Sequence, residues 1–168
     1  MSMMSFIPLF MVDHFGVSER IAAIFLSLIF FAGLGGSPLG GYLSDRLGRV
    51  RVTLAACFIT IPVLYFINIV PYGPSGTGIG ALLIVFGLLM FIRMPVAEAF
   101  IIGKTPAHNR STILGIYYFT NMEMGAVLAP GMGYLIDNLG FQSSFNIAAG
   151  VMLAITLVCS VFLWGSRD

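Results

Sequence analysis

The chain has 168 residues, 58% hydrophobic and 9% charged, with a formal net charge of +1 and a mean hydropathy of +1.00. A soluble domain carries roughly 25% charged residues, and one of this size has nowhere to hide so much apolar surface. An ordinary soluble enzyme, a disordered region and a nucleic-acid-binding domain are therefore excluded, the last also because no basic field exists to attract phosphates. The composition is that of an all-α polytopic membrane protein, and at ~20 apolar residues per span plus short connections the chain holds about six helices.

The apolar stretches cover residues 1–12, 19–43, 52–70, 79–103, 111–136 and 141–164, read together as one transmembrane helical bundle over 1–168. The first stretch is short: twelve residues reach only ~18 Å against a hydrocarbon core of ~30 Å. It lacks the basic start and small-residue cleavage site of a signal peptide. The expectation is a truncated helix whose first half precedes an internal Met1. The second stretch opens on Ser18-Glu19, a hydroxyl cap with an acid in the first turn. Pro71-Tyr72-Gly73-Pro74-Ser75 interrupts helix between the third and fourth stretches, and Pro106 interrupts it between the fourth and fifth. Long continuous apolar runs exclude the short alternating segments of a membrane barrel.

Lysine and arginine orient the bundle. Arg46, Arg49, Arg51, Lys104, Arg110 and Arg167 fall on one side and Arg20 alone on the other. The expected orientation puts the arginine-bearing connections and the C-terminus in the cytoplasm, the protein lying in the cytoplasmic (inner) membrane. Cys57 and Cys159 sit inside apolar runs, without a metal-ligand spacing, and no cofactor or metal is expected.

The second stretch ends Gly33-x4-Pro38-x2-Gly41-Tyr42-Leu43-x-Asp45-x-Leu47-Gly48. The fifth ends Gly125-x4-Pro130-x2-Gly133-Tyr134-Leu135-x-Asp137-x-Leu139-Gly140, offset by 92 residues with eight of sixteen positions identical. Counting spans makes the two copies run in opposite directions, which predicts a 3+3 inverted repeat, a pattern of secondary transporters.

The run Gly41-Tyr42-Leu43-Ser44-Asp45-Arg46-Leu47-Gly48-Arg49-Val50-Arg51 resembles the signature loop of the major facilitator superfamily: glycine, three residues, Asp-Arg, any residue, Gly-Arg, then further basic residues. Val50 departs from the basic run. Gly125, Pro130 and Gly133 resemble the helix-packing Gly/Pro stretch of the family's fifth and eleventh helices, and Pro106-x3-Arg110-x4-Gly115 the loop entering it. In the gating loop, which also contains Gly48, Gly41 is expected to admit a neighbouring helix, Asp45 to face a helix N-terminus or a basic partner, and Arg46, Arg49 and Arg51 to hold the inner leaflet. The resemblance implies half of a twelve-helix bundle. The tail Gly165-Ser166-Arg167-Asp168, directly after the last stretch, favours the C-terminal half. It also implies a secondary active permease of alternating access, not an enzyme, that moves a small-molecule substrate and is open to proton coupling. Its partners are the lipid bilayer and either a six-helix half upstream or a second copy. Two rival readings stay open, a half-size transporter acting as a homodimer and a non-transporting sensor or scaffold on the same fold.

Ionisable groups at a helix centre cost ~2.5–3.5 kcal/mol on insertion scales and mark candidate sites. The fourth stretch has Arg93 and Glu98 around Pro95, and the fifth has Asn121 and Glu123. At ~1.5 Å per residue Arg93 lies ~15 Å and Glu123 ~18 Å from the arginine-bearing end, with Glu98 at ~8 Å. Arg93 and Glu123 therefore match in depth and oppose in charge, the expected substrate and coupling pair. Arg93 and Glu98 are separated by ~140° of helical phase, and Asn121 and Glu123 by ~160°. No Ser/His, HExxH or paired-aspartate arrangement sits at one depth.

Overall fold

The computed structural model describes residues 2–70 and 76–163. The expected 71–75 turn and the tail 164–168, with Arg167, lie outside the described residues. Five α-helices follow one another: α1 Ser2–Phe15, α2 Glu19–Leu47, α3 Arg49–Ile69, α4 Thr77–Lys104 and α5 Arg110–Leu163, with a 3-10 turn at Ala107–Asn109 before α5. Four of them are long and apolar enough to cross a membrane, and Phe6–Phe15 is a shorter apolar helix. No strand occurs among the described residues.

Two boundaries differ from the sequence expectation. The connection between the second and third stretches, expected over residues 44–51, is one residue. Helix α2 continues through Asp45 and Arg46 to Leu47, and α3 begins at Arg49. Between them Gly48 has φ 93°, ψ 141°, a backbone open to glycine and strained for other residues, so the chain turns within a single peptide unit. The fifth and sixth stretches likewise run on without a loop. Only Gly140, at φ 77° and ψ 167°, is non-helical inside Arg110–Leu163. An unbroken helix of that length would extend ~80 Å, more than twice a ~30 Å hydrocarbon core. The glycine divides it into 110–139 and 141–163, each long enough for one crossing. Gly48 and Gly140, equivalent in the sequence repeat, share this positive-φ backbone.

Glycines set the tightest contact in the bundle. A Cβ on Gly40 would stand 2.6 Å from the Ile92 carbonyl oxygen, and one on Gly87 2.6 Å from that of Ile29. The backbones of α2 and α4 thus touch, as small residues allow between membrane helices. Contacts that advance together along both chains, Phe25 with Gly80 and Gly40 with Ile92, make α2 and α4 parallel. Helix α3 runs antiparallel to α4, since Arg49 meets Ala99 and Cys57 meets Arg93. At its far end Asn68 donates to the Gln142 carbonyl at 3.2 Å and to Asn146 Oδ1 at 3.1 Å, which ties α3 to residues just past Gly140. Beside them the fully buried Phe10 of α1 packs on Phe145 at 4.9 Å and Phe141 at 5.7 Å between ring centroids. Asp13 and His14 are exposed in the last turn of α1, with His14 stacked on Phe10. The core is one buried cluster that includes Ile29, Leu83, Phe86, Ile67 and Phe10, drawn from α1 to α4. The outward surface is also apolar, with Phe31, Leu34, Phe119, Met122 and Val127 exposed, as lipid-facing helices require.

Candidate functional site

Helices α3, α4 and α5 bound a cavity of about 320 Å³. Thr53 and Cys57 of α3, Phe91, Arg93 and Ala97 of α4, and Tyr117, Tyr118 and Asn121 of α5 contribute to its wall, with Met4 of α1 closing one side. The antiparallel packing of α3 on α4 brings Thr53 opposite Ala97 and Cys57 opposite Arg93. Pro95, two residues beyond Arg93, has no N–H for the Phe91 carbonyl, so α4 loses one internal bond beside the cavity.

Arg93 is half-buried, and its Nη1 reaches Cys57 Sγ at 3.7 Å. It forms no ion pair among the described residues. A guanidinium holds five donors in a rigid fork suited to carboxylate and phosphate, and one weak sulfur contact leaves most of that capacity facing the cavity. Asn121 donates from Nδ2 to the Tyr117 carbonyl oxygen at 2.9 Å, which pins the amide beside that ring. Glu98 and Arg93 both lie within electrostatic range of Tyr117, and Glu98 also of Tyr118. The site is thus a cation on α4 facing two tyrosines and an amide on α5, with the acid Glu98 one turn further along α4 and off the cavity wall.

The structure places Arg93 and Asn121 on one cavity wall, Glu98 near Tyr117 and Tyr118 but off that wall, and Glu123 outside it. Glu123 is exposed on α5, outside the cavity wall, and no ion pair joins it to Arg93 among the described residues. The reason is the phase noted above: Asn121 faces inward, and a residue ~160° around the helix faces away. Glu98, expected on a different face from Arg93, is not among the residues that line the cavity. Tyr117, Tyr118, Phe91, Thr53 and Cys57 were not candidates from sequence, where attention fell on ionisable groups. The four-residue spacing of Tyr117 and Asn121 puts both on one helical face and was the available signal.

The arginine-bearing end has its own geometry. Gly41 is half-buried, and a Cβ there would meet nothing within 4 Å; the close approach expected at Gly41 falls on Gly40. Asp45 is exposed and forms no ion pair among the described residues. The Arg46 guanidinium lies 4.8 Å over the Tyr42 ring. Arg49 Nη1 donates to the Ala99 carbonyl oxygen at 2.7 Å, in space that Gly103 leaves by having no side chain. Arg51 is exposed. On α5, Pro130 is exposed, a Cβ on Gly125 would meet no atom within 4 Å, and one on Gly133 would only touch Phe6 at 3.8 Å. No group of three or more His, Cys, Asp or Glu able to hold a metal occurs among the described residues.

Residues 1–168 match the family described as the Major Facilitator Superfamily. The chain is 27% identical to the cis,cis-muconate transport protein of Acinetobacter baylyi over 94% of its own length and 36% of that protein's. It is 26% identical to the voltage-gated purine nucleotide uniporter of Mus musculus, over 94% of this chain and 36% of the relative. With the multidrug resistance protein MdtG of Salmonella typhi it shares 29% identity, over 95% and 40%. The chain therefore spans well under half the length of these relatives.

Proposed function

The chain belongs to the major facilitator superfamily, and from that premise we propose that it forms six transmembrane helices, in two inverted sets of three, of a secondary carrier for small organic anions. The membrane location and the transport role rest on the family and on the apolar helices. The observation that carries the choice of substrate is Arg93: a half-buried guanidinium at mid-span, with no ion pair among the described residues, on the wall of a cavity. A cation held there at a cost of some kcal/mol calls for an anionic partner, and a substrate carboxylate or phosphate supplies it. Two relatives bear the names of anionic solutes, muconate and purine nucleotides. Phe91, Tyr117 and Tyr118 provide flat walls for the substrate's body, and Asn121 a polar contact.

The carrier works by alternating access around this midplane site. The path is completed by a further six-helix half, upstream in the same polypeptide or in a second copy. The arginine-bearing loop lies at the cytoplasmic face of the inner membrane and acts as the gate. Coupling to a proton gradient runs through Glu98, the acid on α4 within electrostatic range of Tyr117, as Arg93 is.

The test is uptake by the complete protein in proteoliposomes, with dicarboxylates, phosphate esters and organic cations as competitors. Anions should compete and cations should not. Arg93→Gln should abolish saturable uptake while the protein still inserts, and Arg93→Lys should keep part of it. Unchanged anion uptake by Arg93→Gln would overturn the substrate assignment. No flux of any solute in the complete wild-type protein would favour the sensor or scaffold reading.

A further inference from the structure

The second cavity, about 330 Å³, lies between α2 and α3 at the arginine-bearing end. Leu43 and Leu47 form one wall, Ala55 and Ile59 the other, and Leu89 and Ile92 of α4 the floor. It arises because α2 and α3 each pack against α4 and only one residue, Gly48, joins them. The small side chains of Ala55 and Ala56 keep the walls apart. Arg51, at the end of the cleft, is its one charged lining residue. From Arg51 to Ile59 the helix rises ~12 Å into the apolar zone.

Such a cleft is too apolar to hold water, which needs two to four polar partners per molecule. Its depth and walls fit a hydrocarbon chain. The charge at its mouth selects the headgroup. Of the three loop arginines, Arg46 is engaged over Tyr42 and Arg49 with the Ala99 carbonyl. Arg51 is exposed and has no ion pair among the described residues. Helix α3 begins two residues earlier at Arg49, its N-cap Gly48 offering no side-chain cap, so its positive dipole end adds to the same field.

We propose that this cleft binds an anionic phospholipid, one acyl chain lying between α2 and α3 over Leu89 and Ile92 and the phosphate paired with Arg51. A lipid seated there wedges the two helices that the Gly48 turn joins, so its occupancy stiffens the connection between the parallel pair α2–α4 and helix α3. This inference needs only that the arginine-bearing end meets a membrane surface and is independent of what the carrier moves.

The experiment titrates the complete protein, purified in detergent, with phosphatidylglycerol and with phosphatidylcholine of the same acyl chains, counting bound lipid by native mass spectrometry. Wild type should half-saturate with phosphatidylglycerol at about fivefold lower concentration, the equivalent of ~1 kcal/mol for one basic residue at an anionic surface. Arg51→Gln should erase that preference, and Arg46→Gln, outside the cleft, should keep it. Ala55→Phe should reduce binding of both lipids by filling the cleft, and Ala55→Leu covers the case in which the larger side chain prevents folding. Inorganic phosphate alone should not displace the lipid. Equal affinity for the two lipids in wild type, a preference that survives Arg51→Gln, or displacement by phosphate alone would overturn the proposal.

Discussion

At Gly40 and Gly87 the absence of one methyl group decides whether two membrane helices meet backbone to backbone. A Cβ at either position would stand 2.6 Å from a carbonyl oxygen, an obstacle that no rotamer can move. Gly40→Ala or Gly87→Ala should therefore push α2 from α4 and destabilise the protein by ~1–3 kcal/mol, the range for overpacking a filled interior. Gly41→Ala, whose Cβ meets nothing within 4 Å, should stay within ~0.5 kcal/mol of wild type. Thermal unfolding in detergent measures all three, and a melt of Gly40→Ala no lower than that of Gly41→Ala would refute the backbone contact. The charged pair expected from sequence is tested at the same scale. Arg93 and Glu123 match in depth, but depth carries no azimuth, and Glu123 is exposed away from the cavity. A double-mutant cycle with Arg93→Gln and Glu123→Gln should return a coupling energy below ~0.5 kcal/mol, as for residues without contact. A coupling of several kcal/mol would restore the pair.

At the scale of elements, the helices were legible because composition and length dictate them, and their ends were less so. The second helix was expected to stop at residue 43, ahead of a loop rich in charge, yet it continues to Leu47. Charge is a poor stop signal at a membrane surface: aspartate and arginine extend toward water from a helical backbone as readily as from a coil. The actual stop is Gly48, and Gly140 does the same between the last two stretches. Arg93 and Asn121, which line the cavity, are singled out in the sequence by the rarity of polar groups in apolar runs. The tyrosines are not, because an aromatic in a membrane helix is usually packing and only the neighbouring helices disclose what it faces. The loop itself yields a prediction at this scale. Asp45 has no ion pair among the described residues, so Asp45→Asn should leave the thermal stability of the bundle within ~0.5 kcal/mol of wild type. If Asp45 biases one access state of the complete carrier through a partner outside this bundle, uptake should still fall, by an amount equivalent to ~1–2 kcal/mol of coupling. Uptake at the wild-type rate would show that Asp45 takes no part in gating.

At the scale of the whole molecule, the open question is whether the two halves of the sequence repeat point opposite ways across the membrane. The local evidence is that Gly48 and Gly140, 92 positions apart, break their helices with the same handedness of backbone. Contacts supply relative directions inside the bundle: α2 parallel to α4, α3 antiparallel to α4. If each helix crosses once, the ends of the two copies emerge on opposite faces. Leu47 and Leu139 are the equivalent residues one position before each glycine, and they are 54% and 51% exposed, so a thiol at either can be reached. In a background with Cys57→Ala and Cys159→Ala, Leu47→Cys should react with a membrane-impermeant maleimide only in inside-out vesicles, and Leu139→Cys only in right-side-out vesicles. The assignment of sides comes from the arginines, which remain with the cytoplasmic leaflet; the opposition of sides comes from the repeat. The two claims separate cleanly in the result. Labelling of both thiols with the sides exchanged would keep the inverted repeat and reverse the orientation. Labelling of both from one face would mean that residues 110–139 do not cross as a single span, and the 3+3 architecture would fall with it.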